Sequence, residues 1–345
     1  MTVGAGRREP GAPHLSGDAR RRTPAVPPAV LFVIKRVLQS VAVILLVSVI
    51  VFGLLHALPG GPARGILGQQ ATLAQIQAFN KAQGFDKPIV EQYWLYLARL
   101  LHGNLGVSYK LNQSVGSLIA QRLPKTIVLS GLSTLLALII AVPLGVWQAV
   151  RRQKLPDHVI TAGAFVGYAM PSFFLALLLV IAFADKIRLF PPQAPQATTL
   201  AGILGDPRAL VLPVVTGTVA TVAVFSRYVR SAVLDNLAED YTRTARAKGV
   251  AEVRVVAVHV LRNSLTPFIT MLGYYVPVMF SGAIVIESVF NYPGMGLLFW
   301  NAAQTSDYPT ELGVVLVIAV ATVVGSLVAD LLQALADPRV RGSIS

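Results

Sequence analysis

The chain has 345 residues, 54% of them hydrophobic and only 13% charged, with a net charge of +13 and no cysteine. A soluble domain averages roughly 25% charged residues, so the composition excludes an ordinary soluble protein and predicts an integral membrane protein. Disulfides and thiolate metal sites are excluded by the missing cysteine; the basic residues lie between apolar runs rather than in a patch interleaved with aromatics, which points to membrane topology and not to nucleic acid.

Residues 1–28 are rich in Pro, Gly, Ala and Arg. They can bury little apolar surface, so they read as a disordered cytoplasmic extension. A cleavable signal peptide is the rival reading. The apolar run that follows is too long for an h-region, and Pro59-Gly60-Gly61 is a poor cleavage site.

Six apolar runs are each near the ~20 residues that cross a bilayer. They are about Val37–Leu58, Ile127–Val150, Val159–Ala184, Ala209–Phe225, Leu265–Ile286 and Leu312–Leu332. Pro143 and Gly145 interrupt the second, which neighbouring helices can tolerate, and Pro171 predicts a kink in the third. With both termini inside, the inner segments hold 19 Lys and Arg against 10 in the outer ones. That asymmetry satisfies the positive-inside rule.

The first outer segment, Pro59–Arg122, is long for a loop. Thr72 with Gln75 forms a capping box for a helix that Gly84 can end. Pro88 fits the first position of a second helix, which carries Tyr93, Trp94 and Tyr96. Those aromatics suit either the headgroup level or contact with an external protein.

Asp240–Pro267 reads DYTRTARAKGVAEVRVVAVHVLRNSLTP and joins the fourth and fifth runs. Tyr241–Lys248 has no Gly or Pro and favours helix. Gly249 can stop it in the left-handed conformation, and Val250–Leu261 starts a second helix leading into the fifth run. Arg243, Arg246 and Lys248 on so short a helix read either as a positive-inside anchor or as a docking lever for a soluble partner.

Beyond the fifth run, Ile286-Glu287-Ser288-Val289-Phe290 leads to Pro293-Gly294-Met295-Gly296 and then to Asp307-Tyr308-Pro309. Glu287 can cap a rigid turn built on Pro293 and Gly294, or line an external mouth that attracts a peptide amine. The sequence has no G-x-x-x-x-G-K-[ST] phosphate loop. Its five His are scattered without ligand spacing, and no nucleophile–base set stands out. Acidic and His residues are absent from the interiors of runs two to five, so a self-driven secondary transporter or channel has little support.

The order R-T-A-R-A-K-G followed by H-x-L-R-N-S-L-x-P resembles the coupling-helix motif of ABC-importer permeases, in the form of the oligopeptide/dipeptide (peptide/nickel/opine) family. Arg243 stands where many other importer families have Glu, Thr244 and Ala245 take the two Ala positions, and Gly249 matches the motif glycine. H-G-x-L-G-x-S at His102–Ser108, I-E-x-x-F, P-G-x-G, D-Y and the closing Ala336-Asp337-Pro338-Arg339 are similar to the same branch. The resemblance covers about residues 30–341 and implies an all-α membrane protein with six transmembrane helices, the type I ABC-importer permease fold and cytoplasmic termini. It divides the chain into a first helix with its external segment (29–121), a permease domain (122–337) and a cytoplasmic tail (338–345).

It further implies an ATPase-coupling site at Tyr241, Arg243, Thr244, Ala245, Arg246, Ala247, Lys248 and Gly249, and an external mouth near Glu287, Pro293 and Gly294. The implied partners are a second homologous permease, two ATPase subunits carrying ATP and Mg, an extracytoplasmic binding protein and a peptide substrate, all at the lipid bilayer. The chain itself would hold no cofactor and no catalytic residue. Nickel, opine and glutathione systems share the branch.

Overall fold

A computed structural model describes residues 28–336 apart from 59, 69 and 109; side chains at 28, 29, 332–336 and twelve positions between 266 and 282 are also outside it. The extension at 1–27 and the tail from Asp337 onward, both singled out by the sequence, lie outside the described residues.

The first helix, α1 (Pro28–His56), begins well before the apolar run, so Lys35 and Arg36 lie within it. The segment read from the sequence as external follows as a layer of α2 (Gly61–Leu67), α3 (Leu73–Gln83), α4 (Ile89–Leu101) and a hairpin of β1 (Val107–Ser108) with β2 (Gln113–Ser114). Thr72 and Gln75 form the expected capping box, and Gly84 closes α3 at φ 76°. Pro88 stands one place earlier than expected, as the N-cap of α4. Tyr93 and Tyr96 face inward onto Phe52 of α1, the Tyr93 hydroxyl lies 2.9 Å from Ser48 Oγ, and Trp94 alone of the three is largely exposed.

Next come α5 (Val115–Val150), α6 (Leu155–Ala169), α7 (Ser172–Leu179) with a π turn at Val180–Lys186, and the short α8 (Leu200–Leu204). At 36 residues, α5 is about 54 Å long and overreaches the ~30 Å hydrocarbon core. The third run is not one kinked rod: α6 and α7 meet at 102°. Met170 is extended at ψ 122° and Pro171 caps α7, because a proline ring disfavours the helical region for the residue before it and supplies no N–H.

The fourth run is a 31-residue helix, α9 (Pro207–Leu237), which carries Arg227, Arg230 and Asp235 beyond the apolar part. It leads to α10 (Asp240–Ala247). Then α11 (Glu252–Arg254), a π segment Val255–Val260 and α12 (Leu261–Val289) follow without a break, and α13 (Met295–Thr305) and α14 (Tyr308–Ala336) end the fold.

Among the described residues, the most extensive helix pairing is that of α5 with α9. Ala137, Ala141, Gly145 and Ala149, spaced by four, form a buried stripe on α5, and small residues of this kind let helix backbones approach in a membrane. A Cβ at Gly145 would stand 2.7 Å from the Ser226 carbonyl oxygen. Packing of α12 on α14 and of α14 on α1 extends the bundle. Among the described residues, four helices are long and apolar enough to cross a membrane: Val30–His56, Val115–Val150, Pro207–Leu237 and Tyr308–Leu331; the bent α6–α7 pair would be a fifth. At 29 residues α12 has the length as well.

Candidate functional site

One candidate site is α10. Its underside is small and buried: Thr242 and Ala245 face the end of α9 and the π segment, where Ala245 joins Val233, Val255 and Val260 in one core cluster. The Thr242 hydroxyl donates to the Asn236 carbonyl at 2.9 Å, and the Tyr241 hydroxyl donates to the Asn236 side chain. The helix is thus pinned to α9 across only two intervening residues.

Its end is a Schellman turn. The Gly249 N–H donates to the Arg246 carbonyl at 2.9 Å and the Val250 N–H to the Ala245 carbonyl at 3.2 Å, with Gly249 at φ 74°. Arg243, Thr244, Arg246, Ala247, Lys248 and Gly249 are all exposed. Of the coupling residues read from the sequence, Ala245 instead faces inward and Tyr241 is half-buried, while Thr242, absent from that set, holds the seat.

Arg246 makes a bidentate pair with Glu252 at 2.7 and 3.0 Å, and Arg243 reaches Asp240 at 3.2 Å. The Arg246 guanidinium holds the Glu252 carboxyl below its ordinary value. A second ion pair braces the same end of the bundle: Arg230 of α9 grips Asp157 of α6 with two 2.8 Å bonds, and Asp157 also accepts from the Gln153 N–H. Nothing in the spacing of residues 73 apart announces it.

The other candidate site is the turn between α12 and α13. Glu287 is fully buried. One carboxyl oxygen accepts from the Thr126 hydroxyl at 2.6 Å and the other from the Leu297 N–H at 2.9 Å. Thr126 in turn accepts from the Met295 N–H at 2.8 Å, and the Tyr292 hydroxyl donates to the Lys125 carbonyl at 2.8 Å. A Cβ at Gly294 would lie 2.1 Å from the Glu287 carboxylate, and one at Gly296 would lie 2.5 Å from Ile284 Cα. Both glycines of P-G-x-G are therefore required by close approach. In this structure Glu287, Pro293 and Gly294 are all buried in a packed turn, with the two carboxylate oxygens bonded to Thr126 and Leu297.

The same end joins two motifs that are 199 residues apart. The Ser108 hydroxyl, at the end of H-G-x-L-G-x-S, donates to the Asp307 carboxylate of D-Y-P, which also accepts from the Thr310 hydroxyl at 2.8 Å in the first turn of α14.

Two family profiles match this chain: that of binding-protein-dependent transport system inner membrane components over residues 141–342, and that of the N-terminal part of such membrane components over residues 29–130. The chain belongs to this family of binding-protein-dependent transport system inner membrane components. It is 36% identical over 311 residues to the oligopeptide transport system permease protein AppB of Bacillus subtilis, covering 90% of this chain and 98% of that one. It is 35% identical over 310 residues to the glutathione transport system permease protein GsiC of Escherichia coli K12, with the same coverage. The protein is a multi-pass inner-membrane permease subunit of an ABC importer. Its family works with ATPase and substrate-binding partners.

Proposed function

We propose that this permease carries peptides, delivered by an extracytoplasmic binding protein, through a pathway shared with a second homologous permease. Two ATPase subunits, which hold the ATP and Mg, drive alternating access by pressing on α10. The chain itself is non-catalytic and holds no cofactor. The observation that carries this reading is the construction of α10: a short helix seated by Thr242 and Ala245 on the base of α9, with Arg243, Arg246 and Lys248 left outward.

Six crossings with both ends cytoplasmic suit the pairings. Arg36 meets Asp330 and Arg230 meets Asp157 at one end of the bundle, while Glu287 meets Thr126 and Asp307 meets Ser108 at the other. Each pair joins residues that this topology assigns to the same side. The break at Pro171 supplies a joint inside the bundle, and packed helix interfaces of this kind rearrange in discrete steps. Glu287 serves this scheme as a rigid outer anchor, not as a contact for cargo.

Gly249→Val in the reconstituted complex tests the lever. A β-branched side chain at positive φ strains the turn by about 1–2 kcal/mol, and the strain is relieved by tilting α10. Uptake and substrate-stimulated ATPase activity are expected to fall while membrane abundance stays normal. Wild-type uptake would remove the lever from the mechanism. Mass spectrometry of the ligand carried by the co-purified binding protein tests the cargo, and a non-peptide ligand would overturn that part.

A further inference from the structure

An apolar cavity of about 160 Å³ lies between the outer end of α1, the external layer and the start of α14, walled by Val51, Leu55, Phe79, Leu105, Leu312 and Leu316. A mostly apolar lining of this kind suits an apolar guest. Arg99 lines the same cavity, as does Gln83, which its guanidinium contacts. It donates to the carbonyl and side-chain oxygens of Gln83, and no carboxylate among the described residues pairs with it. Burial holds Arg99 below its ordinary value and pushes the neighbouring Tyr96 phenol up to about 12. A partly desolvated cation without a counter-charge favours an anion from outside the chain.

The surroundings say what kind of anion. Residues 59–125 hold seven Lys and Arg against two acids, Asp86 and Glu91. α1 exposes Leu38, Leu46, Ile50 and Leu54, and α4 exposes Ile89, Val90, Trp94 and Leu101. Exposed apolar side chains with an exposed aromatic suit a bilayer and its interfacial level, and α1 packs chiefly on α14. We propose that the cavity is a binding site for an anionic phospholipid of the outer leaflet, with part of one acyl chain among the apolar walls and the phosphate against Arg99.

The test uses the complete complex exchanged into nanodiscs of equal phosphatidylglycerol and phosphatidylcholine, then extracted gently and read by native mass spectrometry. The wild type is expected to retain phosphatidylglycerol preferentially. Loss of one charge-assisted contact, worth about 1.5–3 kcal/mol, makes the expected drop in that preference for Arg99→Gln about tenfold or more. Arg99→Lys should keep most of it, and Leu316→Trp, which fills the cavity, should lower retention of both lipids.

Equal retention of the two lipids by the wild type, or an unchanged preference in Arg99→Gln at normal abundance, would overturn the proposal. So would displacement by inorganic phosphate alone, which would make this an anion site without a tail. Displacement by a short peptide ending in leucine would overturn it in favour of a cargo subsite.

Discussion

The two ends of this bundle use similar residue types in opposite ways. At the outer turn, the Glu287 carboxylate is spent wholly inside the chain on Thr126 and Leu297, under two glycines with no room for a side chain. At α10, the charged groups of Arg243 and Arg246 pair, among the described residues, with exposed acids close by in sequence, and the residues of that face are exposed. A buried, fully satisfied polar network fixes one geometry. Exposed pairs of this kind are worth little and can be exchanged for a partner at small cost. The turn at Glu287 thus has the build of an anchor, and α10 the build that the proposed role of a handle requires.

The largest expected effects break the anchor. Gly294→Ala cannot fit beside the carboxylate, and Glu287→Ala strands the Thr126 hydroxyl and the Leu297 N–H, at about 1–3 kcal/mol for each unsatisfied group. Both should lower the melting temperature of the detergent-extracted complex and its membrane abundance. A Glu287→Ala complex of normal stability with altered cargo affinity would return this residue to the external mouth.

A middle effect is expected at the brace. Arg230→Gln leaves Asp157 buried with one backbone donor, at roughly 2 kcal/mol, less than for a fully buried pair because Arg230 keeps part of its surface in water. The double variant with Asp157→Asn should regain part of the loss. Equal melting temperatures for wild type and Arg230→Gln would show that the brace carries no load.

The smallest effect sharpens the contrast at the handle. Glu252→Gln should change thermal stability by a few tenths of a kcal/mol at most. Because Arg246 holds the folded Glu252 carboxyl below its ordinary value, the pair stabilises above that ordinary value and its contribution fades as pH falls through the lowered one. The variant should therefore lose only a shallow part of the acid limb of a stability–pH profile. A large drop at neutral pH would mean that the inner end is as tightly built as the outer one.

What the sequence made legible was local. Thr72 with Gln75, Gly84 and Gly249 are readable because each signal and its consequence lie within one turn of helix. Apolar runs located the bundle but undersized α5 and α9, since polar helix ends such as Arg227–Asp235 are invisible to hydropathy. Pro171 announced a kink, but its size depends on how α6 and α7 pack, and it reached 102°. Thr126 for Glu287, Ser108 for Asp307 and Arg230 for Asp157 were unreadable as pairs. Their separations of 161, 199 and 73 residues are set by the fold and leave no periodicity.

The claim that α10 is the handle is tested most directly by proximity. The chain has no cysteine of its own, so Ala247→Cys on the exposed face of α10 places a single thiol there. A short cysteine-to-amine cross-linker applied to the assembled complex should give an adduct of this chain with an ATPase subunit. Replacing Arg243, Arg246 and Lys248 by Ala should abolish it, and a thiol placed by Ala303→Cys on α13 should give none. Absence of the adduct from Ala247→Cys, or an equal adduct from Ala303→Cys, would contradict the account.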